Sequence, residues 1–104
     1  GVYTIMALLQ TSVTADDIIT IRTVQGLEII AKFVAESSAS IKVNKPLVIT
    51  GTTSIAETGV TKALFGPLSN TMATLGDIEI NGVNILCANA TDADIATQYA
   101  SQVS

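Results

Sequence analysis

The stretch IEINGVNI, at positions 78–85, carries the clearest fold signal in this chain of 104 residues. Asn-Gly between alternating apolar residues is the strongest short-range hairpin signature, because a type I′ turn needs positive φ at both central residues. A turn at Asn81 and Gly82 would place the four apolar side chains of the stretch on one face. The sequence therefore predicts a β-hairpin over residues 78–85, with Asn81 and Gly82 as its structural turn.

Beyond this stretch, the end of the chain has the pattern of an amphipathic helix. The residues at 91–94, Thr-Asp-Ala-Asp, resemble a capping box, and their carboxylates suit the positive end of a helix. Ile95, Tyr99 and Val103 would then form one buried stripe. We expect this helix to pack on a sheet, either its own or that of a neighbouring copy, which makes Ile95 and Tyr99 candidate interface residues.

The first third of the chain reads as two strands and a helix. Residues 2–9 are apolar and rich in β-forming types, and residues 18–23 contain three isoleucines and two threonines. Residues 27–36 carry apolar side chains at i, i+3 and i+7, together with a Glu28–Lys32 pair at i, i+4. This spacing predicts a helix.

Short elements fill the middle of the chain. Residues 41–43 and 47–50 read as strands that a turn at 44–46 separates, since Pro46 fixes φ and removes a donor. Gly51 would end the second of these strands, a further short strand would cover 54–56, and residues 61–65 would make a single helical turn. Together the elements predict one domain over residues 1–104, of the α+β class: a small, mainly antiparallel sheet with two short helices packed on it.

Composition restricts the classes of function. Apolar residues make up 48% and charged residues 13% of the chain, and the formal net charge is −4. This balance argues against a nucleic-acid surface, which needs clustered cations. No apolar stretch approaches the roughly 20 residues of a membrane helix, and residues 1–30 lack the pattern of a signal peptide.

The residue types needed for ordinary catalysis are scarce. The chain has no histidine, which excludes a Ser-His-Asp or Cys-His site within it. The single cysteine, Cys87, reads as a small buried hydrophobe, and Asp16-Asp17 as a solvated loop, because adjacent side chains point apart. Asp92 and Asp94 could contribute to a calcium site, but a helix N-terminus explains them better. We expect no enzyme activity, no metal and no cofactor.

The end of the chain resembles the flagellin "IN" motif, which occurs in flagellins, hook-associated proteins and filament caps, with similar units in bacteriophage tail proteins. In that motif an I-x-I-N-G-x-x-I hairpin precedes an amphipathic, Ala- and Ile-rich helix. The matching positions are Ile78, Ile80, Asn81, Gly82, Val83 and Ile85 in the hairpin and Asp94, Ile95 and Ala96 in the helix. The motif comes last here, as expected of a window cut from a repeat-bearing protein or of an insert domain.

The resemblance implies a structural role, because such modules carry no catalytic residues. We expect a non-catalytic assembly module of a bacteriophage tail or fibre, located in a virion or an extracellular assembly. Its partners would be copies of itself or other structural subunits, without nucleic acid or membrane. The alternatives are a flagellar filament or hook-associated accessory domain, and an adhesin domain that binds a carbohydrate or a receptor.

Overall fold

The computed structural model describes residues 9, 12–72 and 76–103, so most of the predicted strand over 2–9 lies outside the described residues. Within these ranges, six strands, one 3-10 turn and one α-helix follow each other. They are β1 (Ile18–Thr23), β2 (Glu28–Glu36), β3 (Ser40–Ile55), β4 (Val60–Pro67), β5 (Ile78–Asn81), the 3-10 turn (Gly82–Asn84), β6 (Ile85–Ala90) and α1 (Ala93–Val103).

The strands form one antiparallel sheet that curls into a half-barrel. The strand order is β4-β3-β2-β1-β6, and β5 pairs with the start of β3. Strands β1 and β3 are both antiparallel to β2, so they run in one direction. Strand β5 is antiparallel to β3, and β6 is antiparallel to β1, so β5 and β6 both run in the opposite direction. Only the three residues of the 3-10 turn join β5 to β6, so the sheet must bend back to bring these partners together.

Alternation along the strands gives the sheet a concave, apolar inner face. Successive side chains of a strand point to opposite faces, so every second residue of β1 and β2 enters the core. The buried core consists of Leu9, Ile19, Ile21, Ile29, Ala31, Phe33, Ile41, Val43 and Ala88. The predicted strand over 18–23 is confirmed, and Leu9 lies beside β6 through a parallel bridge to Ala88.

The predicted α+β class with two helices is wrong, because the described residues are mostly antiparallel β with one helix. Residues 27–36, predicted as a helix, contain strand β2 instead. Ile29 and Phe33 face the core, whereas Ile30 is buried on the opposite face, beneath α1. A strand that is apolar on both faces also has apolar residues at the i, i+3 and i+7 positions expected of a helix, so the sequence pattern alone is ambiguous. Residues 28–36 form a strand because they pair with β1 and β3 on either side.

Two smaller predictions in the middle of the chain are also wrong. Residues 61–65 belong to strand β4 rather than to a helical turn. The predicted turn at 44–46 is a β-bulge inside the continuous strand β3, where Lys45 has φ +51° and the register with β2 shifts. A bulge accommodates Pro46, which has no N–H for the ladder, without ending the strand. Gly51 does not end β3 either, because the strand continues to Ile55.

The predicted hairpin at Asn81 and Gly82 is wrong as well. Asn81 has φ −66° and ψ 135°, whereas a type I′ turn needs positive φ at both central residues. Neither Asn81 nor Gly82 is among the described residues with positive φ, so this is not a type I′ turn. The strands on its two sides do not pair with each other; they pair with β3 and β1 at the two sides of the curled sheet. Ile78, Ile80 and Ile85 still pack against the core. The alternation predicted the facing of the side chains correctly, but not the strand partners.

The predicted C-terminal helix is confirmed as α1, with its cap one residue later than expected. A carboxylate oxygen of Asp92 accepts hydrogen bonds from the backbone N–H groups of Asp94 (3.1 Å) and Ile95 (3.4 Å). Asp92 is therefore the N-cap. The Thr91 hydroxyl lies 2.8 Å from the Thr20 hydroxyl and ties the start of the helix to β1.

Candidate functional site, an exposed ribbon of two strands

The carboxylates considered for catalysis stabilise turns and the helix end. Asp17 Oδ2 accepts hydrogen bonds from the Thr14 N–H (2.9 Å) and the Thr14 hydroxyl (3.3 Å). The neighbouring Asp16 has φ +73°, and its N–H donates to the carbonyl of Phe33 in β2. Asp92 caps α1. Asp17 and Asp92 therefore both accept hydrogen bonds from backbone N–H groups.

Cys87 lies half-buried on β6 and is a free thiol. Its register partner across the ladder is Arg22 of β1, whose side chain is exposed. The predicted role as a fully buried hydrophobe therefore holds only in part.

Helix α1 packs on the outer face of the sheet, where Tyr99 is its anchor. None of the Tyr99 side chain is exposed, and its ring meets Phe65 of β4 edge to face, with 6.4 Å between the ring centroids. Its hydroxyl donates a hydrogen bond to the carbonyl of Lys45, inside the β3 bulge. Burial raises the pKa of Tyr99 to about 12, with a smaller opposing effect from a backbone hydrogen bond with Lys32.

A second residue of α1, Gln98, binds the free edge of β4. Its amide oxygen accepts from the Ala63 N–H (2.8 Å), and its amide nitrogen donates to the Thr61 carbonyl (2.9 Å). The side-chain amide therefore occupies the place that a peptide group of a further strand would take. Unpaired strand edges invite pairing with other chains, and Gln98 closes part of this one.

Strands β3 and β4 continue beyond the rest of the sheet as a two-stranded ribbon. The last pair between β2 and β3 is Ile29 with Val48, whereas β3 and β4 remain paired as far as Ile55 with Val60. Residues 49–55 thus extend about 20 Å past the last β2 pair, at roughly 3.3 Å per residue. The molecule measures 55 Å along its longest principal axis, against 33 and 25 Å along the other two.

The two faces of the ribbon differ in chemistry. Thr52 lies opposite Ala63, and Ser54 opposite Thr61, so the face towards α1 is small and largely polar. The other face carries the pairs Gly51 with Leu64, Thr53 with Lys62, and Ile55 with Val60. Between 40% and 47% of the surface of each large apolar residue on this second face is exposed. We call it the apolar ribbon face: Ile55, Val60 and Leu64 around Lys62.

The apolar ribbon face continues the inner face of the half-barrel. Gly66 lies opposite Val48, which packs against the core, and Leu64 follows two residues away on the same side of β4. Phe65, between them, points to the opposite side and meets Tyr99. The sheet therefore extends its core-facing surface past the core, and no described residue covers this extension.

A second exposed apolar surface lies where the β1–β2 turn meets the 3-10 turn. The Val24 N–H donates to the carbonyl of Asn84 (2.9 Å) and joins the two turns. Four large apolar side chains of these segments have between 44% and 79% of their surface exposed. We call this surface the end patch: Val24, Leu27, Val83 and Leu86.

The described residues also form clefts, two of which lie close to polar or titratable side chains. A cavity of about 180 Å³ lies between α1 and the sheet, with Ile30, Ile49 and Ile95 among its lining residues. In the second cleft the Ser40 hydroxyl donates to Glu79 Oε1 (2.8 Å) and lies 3.2 Å from the Ser37 hydroxyl. These serine hydroxyls have partners that hold the β2–β3 turn to β5.

The predicted interface residues and turn residues lie apart from the ribbon. Tyr99 is enclosed by its own sheet, Ile95 is half-buried at the cavity, and Asn81 and Gly82 lie in the connection between β5 and β6. Sequence reasoning missed the ribbon residues. The β-favouring Thr, Ile and Val residues over 51–55 and 60–64, on both sides of the turn that ends at Gly59, are the signal that could have identified them.

Comparison with protein-family models gives no match, and comparison with curated protein sequences gives none either. Across the described ranges, no group of three or more His, Cys, Asp or Glu side chains is placed to hold a metal ion. The helix within those ranges is too short to cross a membrane.

Proposed function

We propose that this chain is a non-catalytic structural module of a bacteriophage tail or fibre protein, which works by packing against copies of itself or other structural subunits. Its place would be a virion or a comparable extracellular assembly, without nucleic acid or membrane as a partner. The observation that supports this most is the apolar ribbon face, an extension of the core-facing surface that no described residue covers.

An uncovered ribbon of this kind is better explained if the chain assembles than if it functions as a monomer. Two strands alone are marginally stable in water and gain stability when a face packs against another surface. The turn at the ribbon tip and the strands beside it carry only Glu57 and Lys62 as charged residues. Little desolvation of charge would therefore oppose docking of this surface.

The two alternatives differ in their support. A flagellar filament or hook-associated domain would use the same ribbon, so the fold favours it equally. An adhesin that binds carbohydrate needs exposed aromatic rings, and the aromatic residues among those described lie in the core or half-buried: Phe33, Phe65 and Tyr99. Two of the described carboxylates, Asp17 and Asp92, accept backbone hydrogen bonds in a turn and at the start of the helix.

The proposal is tested by mass measurement over a dilution series. We expect the wild-type chain to form species larger than a monomer as its concentration rises, and Ile55→Asp to shift this association to at least tenfold higher concentration. Ser54→Asp is the matched control, because it adds the same charge at the neighbouring residue on the opposite ribbon face. Equal weakening by both variants, or a wild-type monomer at all concentrations, contradicts the proposal.

A further inference from the structure

The two edges of the ribbon differ in how they are closed. On the β4 edge, Gln98 of α1 takes the place of a neighbouring peptide group, and Pro67 at the end of the strand has no N–H. On the β3 edge, the pairing with β2 stops at Val48, and within the described ranges no backbone group outside the ribbon binds residues 50–54. Exposed edges are usually protected by a charge, a proline or a covering element, and residues 50–54 contain no charge and no proline.

The ladder of the ribbon shows which peptide groups point out of the β3 edge. Residues opposite each other in an antiparallel ladder either exchange both hydrogen bonds or turn both sets of backbone groups away. The Ala63 N–H and the Thr61 carbonyl point away from β3, towards Gln98. Their register partners, Thr52 and Ser54, therefore turn their own N–H and carbonyl groups away from β4. The β3 edge thus offers two donors and two acceptors to a further strand.

We propose that the β3 edge pairs with the same edge of a second copy of this chain, antiparallel, about a two-fold axis between the two Thr53 residues. Thr52 of each copy then lies opposite Ser54 of the other, and these two pairs form four backbone hydrogen bonds. Gln98 occupies the β4 edge of each copy, so the pairing gives a dimer rather than an open row of strands. This inference rests on the proposed assembly function and names its partner.

The side chains of the ribbon fit a copy of the same strand. Gly51 lies opposite Ile55 of the second copy in this register, and its lack of a side chain leaves room for that isoleucine beside Leu64 on the apolar ribbon face. Lys62 is three strand spacings, about 14 Å, from its counterpart, which exceeds the Debye length of about 8 Å at physiological ionic strength. The contact therefore brings no like charges together, and it joins the two apolar ribbon faces into one wider surface.

Hydrogen exchange at single amides distinguishes edge pairing from docking through the ribbon face. In a concentrated sample the amides of Thr52 and Ser54 should exchange about tenfold more slowly than in a dilute one, because they gain acceptors. The Thr53 N–H points to β4 in the single chain and should slow less than either neighbour. Equal slowing at the three amides overturns edge pairing, and so does protection of Thr52 and Ser54 in the dilute monomer, because the edge would then be closed within one chain.

A proline at the edge removes a donor without affecting the ladder of the ribbon itself. Ser54→Pro should shift association to about tenfold higher concentration, because the Ser54 N–H points away from β4 and is lost in both copies. Ser54→Ala keeps this N–H and should associate like the wild-type chain. Circular dichroism shows whether each variant is folded.

A cross-link tests the register and remains informative if Ser54→Pro is unfolded. Opposed residues at the axis have Cα atoms about 4.5 Å apart, within the range of a disulfide. Thr53→Cys, in a chain that also carries Cys87→Ser, should therefore form a disulfide-linked dimer under mild oxidation. Thr61→Cys in the same background lies on the strand that Gln98 closes and should stay monomeric. Equal cross-linking of the two variants overturns the assigned register.

The outcomes separate this inference from the proposed function. If the wild-type chain associates and Ile55→Asp weakens the association, while a folded Ser54→Pro associates like the wild-type chain, the ribbon docks through its face and only the inference fails. A wild-type chain that is monomeric at every concentration overturns both.

Discussion

Tyr99 connects the β3 bulge at Lys45 to the helix that covers it. The bulge at Lys45 turns a backbone carbonyl out of the ladder, and the Tyr99 hydroxyl is the donor that satisfies it. A buried carbonyl without a donor would cost about 1–3 kcal/mol. Pro46 has no N–H to donate to the ladder, which favours a bulge at this point of β3. Tyr99, more than fifty positions later in the sequence, therefore supplies the hydrogen bond that the Lys45 carbonyl lacks in the ladder.

Removal of this hydroxyl should destabilise the fold without disrupting its packing. We expect Tyr99→Phe to lower the free energy of unfolding by about 1–3 kcal/mol, since the ring remains and the Lys45 carbonyl loses its donor. Urea denaturation measures the change. Gln102→Ala, on the exposed side of the same helix, is the control and should stay within about 0.5 kcal/mol of the wild-type chain. Equal stability of Tyr99→Phe and the wild-type chain would mean that water satisfies the carbonyl equally well.

The raised pKa of Tyr99 predicts a loss of stability in alkali. Its pKa is about 12 in the folded chain against the ordinary value of 10.0, so the neutral phenol favours folding. This contribution is complete below pH 10 and is lost as the pH rises towards 12. Lysines also titrate in this range, so the comparison with Tyr99→Phe isolates the tyrosine. The wild-type chain should lose more stability than the variant between pH 10 and 12, and parallel curves would contradict the assignment.

At the scale of the elements, local patterns predicted the facing of side chains better than the pairing of strands. The alternation in β1 and in residues 78–85 identified the core-facing isoleucines, and the cap-like residues before α1 placed the helix. The partners of β5 and β6 could not be read from the stretch itself, because they depend on how the whole sheet curls. The same holds for β2, whose two apolar faces have meaning only once β1, β3 and α1 surround it.

The contact between α1 and β4 shows how a helix can protect a strand edge. Gln98→Ala should expose the Ala63 N–H and the Thr61 carbonyl to solvent, with a cost of about 1 kcal/mol in the free energy of unfolding. Hydrogen exchange of the Ala63 amide should become faster in this variant, while the amide of Ile21, in the centre of the sheet, should change only with global stability. An unchanged rate at Ala63 would show that Gln98 does not protect the edge.

At the scale of the whole molecule, the half-barrel and the ribbon have different structural roles. The half-barrel with α1 holds the buried core, and the ribbon presents an extension of the core-facing surface outside it. The candidate site is thus a surface rather than a cluster of reactive groups. The position of the surface follows only from the register of β3 with β4.

Amide hydrogen exchange at low and high protein concentration tests the central claim, that the ribbon is the assembly surface, most directly. In the concentrated sample we predict slower exchange for residues 51–64 of the ribbon, with unchanged exchange in the turn at 14–17. The mass of the species is measured on the same samples. Ribbon amides that exchange at the same rate in an assembled sample as in a dilute one would contradict the account.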